Sequence, residues 1–151
     1  MNMLTLFNEF DQFKKSQIDG SKYFTWGEAL FLQRMNAYVK PTIPQVTNIE
    51  KLAARLDLIR DHFKVPITIT SWLRPVDYNK LIGGAQFSHH TTGSAVDFTV
   101  MGLSGDAVRA ELKKHPLLIE GLGLETGIPH VHIQLSTQTI WFAPPQKFKG
   151  V

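Results

Sequence analysis

The chain has 151 residues, 43% hydrophobic and 19% charged, a mixture that suits one compact domain over residues 1–151. A net charge of +3 and a pI near 9.2 come from scattered basic residues, with only Lys14-Lys15 and Lys113-Lys114 adjacent; no basic helix, zinc knuckle or aromatic-basic stripe speaks for a nucleic-acid partner. The absence of cysteine excludes disulfides and thiolate chemistry, so any metal must be held by nitrogen and oxygen, and no apolar run approaches the roughly 18 to 20 residues that span a bilayer.

From the start of the chain, apolar residues at 3, 4, 6, 7, 10 and 13 predict a short amphipathic helix, placed within an N-terminal helical extension over residues 1–20. Glu9, Asp11 and the lack of a basic leader argue against a cleavable signal in this stretch. Thr25 and Glu28 have capping-box spacing, which predicts a helix continuing through the apolar run to Tyr38. Pro41 and Pro44 mark a loop. Ile49, Leu52, Ala53, Leu56, Ile59 and Phe63 keep a step of three to four, predicting a long helix over about 48–62.

Residues 65–71 are rich in β-branched side chains and read as a buried strand. A short helix over 75–81, a turn at Gly83-Gly84, a strand over 95–101 and a helix over 105–114 follow. Residues 117–125 and 130–135 read as two strands joined through Thr126-Gly127-Ile128-Pro129. Residues 142–151, with Pro144-Pro145, read as an irregular tail. This order predicts an α+β domain, with helices on one face of a small, mainly antiparallel sheet.

Four of the six histidines fall in two clusters, Ser88-His89-His90-Thr91-Thr92-Gly93-Ser94-Ala95-Val96-Asp97 and His130-Val131-His132. One histidine from each cluster and Asp97 would give a divalent ion two imidazoles and one carboxylate, leaving an open position for water. Gly93 lets the loop turn back tightly, and the small Ala95 permits close approach. On a strand, His130 and His132 share a face, so one can bind metal while the other stands beside the reacting bond. The competing reading is a hydrogen-bonded structural cluster. His89 reads as an exposed neighbour and Ser88 as a loop hydrogen-bonder. His62 and His115 lie at predicted helix ends, where a cation suits the dipole.

Ser88-x-His90-x-x-Gly93-x-Ala95-x-Asp97, followed by His130-x-His132, resembles the zinc D-alanyl-D-alanine carboxypeptidase family of peptidoglycan peptidases, to which phage endolysins and L-alanyl-D-glutamate endopeptidases are related. The resemblance spans roughly residues 22–135. It includes Tyr23 to Ala29, a strand ending at Arg74 where the family has Ser-Gly-Tyr-Arg, and Asn79, Gly83 and Gly84. It implies a hedgehog- or D,D-peptidase-like fold and one Zn²⁺ held by His90, Asp97 and His132. Arg74 would bind a substrate carboxylate or polarise the scissile carbonyl, as suits its planar, permanently charged fork. Ser88 and Trp72 are further candidates for contact with substrate.

A base beside the metal would take a proton from water and pass it to the leaving amine. Some family members carry a Glu three residues before the last zinc histidine and others an Asp just before the His-x-His pair, and here both places are Pro129. His130 is the leading candidate base and Glu125 the runner-up. The implied partner is a peptidoglycan peptide, with a monomeric, phage-encoded protein reaching the cell wall without a signal peptide or membrane association. The alternative is a metal-binding or wall-binding module of the same fold with little turnover.

Overall fold

The computed structural model describes residues 3–126 and 128–142; most of the expected tail and Gly127 of the expected turn lie outside the described residues. Helix α1 (Met3–Lys15) leads to α2 (Trp26–Leu30), which starts as the sequence predicts. Thr25 accepts from the Glu28 amide, and Glu28 reaches back to the Thr25 amide. The helix does not continue to Tyr38. Phe31 turns extended, and strands β1 (Phe31–Leu32) and β2 (Ala37–Tyr38) pair antiparallel around Asn36, whose φ of +47° makes the turn. The apolar run that suggested more helix is used instead for the contact between Phe31 and Tyr38.

Helix α3 (Ile43–Phe63) starts earlier than its apolar periodicity suggests. Thr42 and Gln45 form a second capping box, and Pro44 sits in the first turn. A missing amide costs nothing there, so Pro44 belongs to the helix and not to a loop. Strand β3 (Ile67–Ser71), α4 (Val76–Leu81), β4 (Ala95–Val100) and α5 (Gly105–Lys114) occupy their expected places. The strand expected from 117 is shorter. Residues Pro116–Ile119 form a 3-10 turn, Gly121 adopts a φ of +73°, and only then does β5 (Leu122–Glu125) begin.

Strand β6 (Val131–Leu135) pairs antiparallel with β5 and with β4. A further strand, β7 (Ile140–Phe142), lies parallel to β5 at the sheet edge, so Phe142 belongs to a strand and not to an irregular tail. Its three residues are too few to show a period. The five-stranded sheet runs β3-β4-β6-β5-β7, antiparallel throughout except for that edge pair.

Side-chain alternation then divides the sheet into two faces. Val96, Phe98, Val131 and Ile133 enter the apolar core with Ile49, Leu52, Leu56 and Ile59 of α3 and Val108 and Leu112 of α5. The intervening residues Asp97 and His132 point to the opposite face. No helix among the described residues is long and apolar enough to cross a membrane.

Candidate metal centre

Asp97 and His132 are directly opposite each other in the β4–β6 register. His90 reaches them from the 3-10 turn His89–Thr92, which leads into β4. That turn is closed at both ends by local chemistry. The Ser88 hydroxyl accepts from the His90 amide, and Gly93 ends the turn with a φ of +75°. A Cβ on Gly93 would stand 3.1 Å from the Gln45 carbonyl oxygen and 3.2 Å from Ile49 Cγ1, so the turn lies hard against α3. Glycine is required here by both backbone angle and space.

The three side chains converge on one carboxylate oxygen. His132 Nδ1 lies 2.7 Å and His90 Nε2 3.3 Å from Asp97 Oδ1. All three residues are buried, with donor atoms within 4.8 Å of one another. Each imidazole is oriented through its other nitrogen. His90 Nδ1 donates to the Trp72 carbonyl at 2.7 Å, and His132 Nε2 donates to Gln134 Oε1 at 3.1 Å. A proton on His90 Nδ1 leaves Nε2 as a lone pair, and among the described residues the buried Nε2 has no hydrogen-bond partner. An unpartnered polar atom in such a place is costly unless something else occupies its lone pair.

Donors held tetrahedrally at zinc distances stand about 3.3 Å apart, so the observed cluster fits a small divalent cation after slight adjustment. Among the described residues, the hydrogen bonds of the cluster leave His90 Nε2 over for such an ion.

The second oxygen of Asp97 is held separately. Arg74 Nη2 donates to Oδ2 at 3.0 Å, and His130 Nε2 lies 3.5 Å from it. Arg74 is itself fixed, donating from Nε to Ser71 Oγ at 2.7 Å and from Nη1 toward Asn79 Oδ1 at 3.5 Å. A register shift in β3 between Ile69 and Ser71 brings Ser71 opposite Asp97, a bulge that aims a side chain at the site. Asn79 is buried and also donates to the Ala85 carbonyl. A Cβ on Gly84 would collide with Asn79 Oδ1, which explains the glycine.

Burial pushes the Asp97 carboxyl up, but hydrogen bonding from His132 and the neighbouring imidazoles outweighs it and holds the group well below the usual carboxylate range. Burial also pulls His90 down, keeping it neutral. For His132 burial is outweighed by the bond to Asp97, and its pKa is raised above 6.5. Burial lowers Arg74, against the pull of Asp97.

Both expected candidates for the base lie at this cluster. Glu125 Oε2 is 3.7 Å from His132 Nδ1, with a side chain only 12% exposed, whereas His130 is 38% exposed and approaches Asp97. Trp72 is not a groove wall. It is 1% exposed, its Nε1 donates to the Gly93 carbonyl and its ring meets Phe24 edge-on; its link to the cluster is the backbone carbonyl that accepts from His90. A large aromatic with its one donor satisfied belongs in a core. Ser88 acts on the turn backbone, and His89 is exposed beside Ser94.

Two residues absent from the sequence reading support the cluster. Gln134 orients His132, and its spacing of two residues along a strand is the signal that marks it. Buried Arg109 donates to the carbonyls of His130 at 2.8 Å and Ile128 at 2.6 Å, tying the turn that carries His130 to α5. A lone arginine on a helix carries no such mark in sequence. Among curated proteins none matches this chain significantly. The family described as Peptidase M15 matches residues 23–134, which take in the whole cluster, and the chain belongs to the peptidase M15 family.

Proposed function

We propose that this protein is a zinc-dependent peptidase that hydrolyses a peptide bond in peptidoglycan stem peptides or cross-links. The observation that carries the reading is the buried, partnerless His90 Nε2, which faces Asp97 Oδ1 beside His132 Nδ1. These three atoms are the proposed zinc donors. Two imidazoles and a carboxylate, with no thiolate available in the chain, suit zinc among divalent ions. When bound, zinc supplies Lewis acidity, lowering the pKa of water toward about 7 and polarising a carbonyl oxygen.

The chain's own residues do the rest. Gln134 and the Trp72 carbonyl fix which nitrogen each imidazole presents. Arg74 and His130 occupy Asp97 Oδ2, so that Oδ1 faces the two histidines. Glu125, close to His132 Nδ1 and shielded from solvent, takes the proton of the attacking water at Oε2 and returns it to the leaving amine. Arg74 places fixed positive charge beside the carbonyl oxygen as it gains negative charge. The base assigned first from sequence, His130, becomes in this reading a second orienting group.

A metal-binding module without turnover is the second reading, favoured by Pro129 at the position where related peptidases carry an acidic residue. The test is to incubate zinc-loaded protein with isolated peptidoglycan and measure new amino groups and soluble peptides between pH 5 and 9. Release, lost on His132→Ala together with zinc, is expected. Full zinc occupancy with no release at any pH would overturn the peptidase reading in favour of the module.

A further inference from the structure

A second cluster of metal-binding side chains lies on the helices, with no residue in common with the Asp97 centre. His62 is in the last turn of α3, Glu111 lies on α5, and His115 is the residue that caps α5. Glu111 and His115 are four residues apart and therefore share a helix face. His62 Nε2 lies 3.0 Å and His115 Nε2 3.1 Å from the same oxygen, Glu111 Oε1. The imidazole centroids are 4.3 Å apart, with 54° between their planes, so each ring aims its Nε2 into one small volume. One donor atom from each residue lies within 4.8 Å of the others.

We infer that His62, Glu111 and His115 form a second site for an imidazole-preferring divalent transition metal such as zinc, nickel or copper, clamping the C-terminal end of α3 to that of α5. The donor set of two imidazole nitrogens and one carboxylate oxygen suits these ions over magnesium or calcium, which prefer oxygen alone. Both helices bring their negative dipole ends to this point, which favours a cation. The neighbouring Lys114 acts against it, so the three ligands must supply most of the affinity.

The hydrogen bond from His62 holds the Glu111 carboxyl below its ordinary value, ready to act as an anion. The side chains of His62, Glu111 and His115 are 25%, 36% and 46% exposed, so solvent can deliver the ion and complete its coordination. The consequence is mechanical. Helices α3 and α5 both pack against β4 and β6, the strands that carry Asp97 and His132, so an ion here braces the sheet from behind.

The full chain, stripped with chelator, is dialysed against graded zinc, and bound metal is counted by mass spectrometry. Wild type is expected to bind about one equivalent more than His62→Ala/His115→Ala, and His115→Gln, at the more exposed position, to weaken that equivalent about tenfold or more. Equal metal counts in wild type and in folded His115→Gln at every zinc concentration would overturn the proposal. The readout is a difference in stoichiometry between helix variants, so it stands or falls independently of zinc at His90 and of any peptidase activity.

Discussion

Asp97 and His132 face each other across the pairing of β4 with β6, with His132 Nδ1 2.7 Å from Asp97 Oδ1 on the sheet face turned away from α3. A slip of one residue in either strand would bury one of them among Phe98, Val131 and Ile133. The apolar alternation that builds the core therefore also sets the register of the site. Gln134 lies two residues beyond His132 on the same face and accepts from its Nε2. Gln134→Leu keeps the strand but removes the group that fixes the ring. Zinc affinity, measured by competition with a chromogenic chelator, should fall about 10- to 100-fold while the unfolding midpoint of the metal-free protein changes little. Unchanged affinity would show that Gln134 does not orient the ligand.

Proton competition gives the second prediction. His132 has a raised pKa in the metal-free protein, so it carries a proton at and somewhat above pH 6.5, whereas His90 is depressed and already neutral. Zinc must displace the His132 proton. Affinity is therefore expected to fall about tenfold per pH unit below the His132 pKa, with about one proton released on binding near pH 6. Calorimetry in buffers of different ionisation enthalpy counts that proton. Affinity that stays flat between pH 5 and 7 would contradict the assignment of His132 Nδ1 as a donor.

Glu125 and His130 can be separated by kinetics. Glu125→Gln keeps the shape of the side chain and removes its basicity, so kcat on peptidoglycan fragments should fall about 10²- to 10⁴-fold with zinc retained. His130→Ala should cost much less, since its neighbour is Asp97 Oδ2 and Arg74 already holds that oxygen. The reverse order of losses would return the role of base to His130.

Much of this was legible before any coordinates, for reasons that differ by residue. The Thr25 box and the β-branched run of β3 are local signals; the one marked where α2 begins and the other where β3 lies. Spacing alone marked the two histidine clusters and Asp97 but left His130 and His132 open as ligands; the resemblance of Ser88 to Asp97 and of His130-x-His132 to a known family is what singled out His132. What escaped was decided at a distance. Trp72 looked like a groove residue until packing against Phe24 placed it in the core. Phe31 to Tyr38 has the apolar content of a helix, but the turn at Asn36 makes it a hairpin. Strand β7 exists because β5 offers it a free edge, which no three-residue window could reveal.

Gly93 tests how closely the metal-bearing turn is fitted to α3. An alanine there would need a left-handed backbone and would press its Cβ against the Gln45 carbonyl oxygen, 3.1 Å away, and Ile49 Cγ1. Gly93→Ala should destabilise the protein by about 1–3 kcal/mol in urea unfolding, and it should weaken zinc binding because His90 precedes the strained residue by three positions. Stability and affinity equal to wild type would mean that the turn accommodates a side chain the structure leaves no room for.

Arg109 separates support of the site from chemistry at the site. Its side chain is 8% exposed and its guanidinium holds the carbonyls of Ile128 and His130, while its partner Asp106 has a side chain 90% exposed. The exposed ion pair contributes little, so the cost of removing Arg109 falls on the two carbonyls left without a donor. Arg109→Ala should lower stability by about 2–4 kcal/mol. The α5 N-terminus packs against the same turn, since a Cβ on Gly105 would lie 2.3 Å from the Pro129 carbonyl oxygen, so the turn has a second anchor and the fold should survive the substitution. Zinc affinity should change little, because none of the three donors sits on the released segment, and turnover should fall no further than in His130→Ala, as His130 loses its place beside Asp97. Loss of zinc in step with stability would instead mean that Arg109 holds β6 itself, and with it His132.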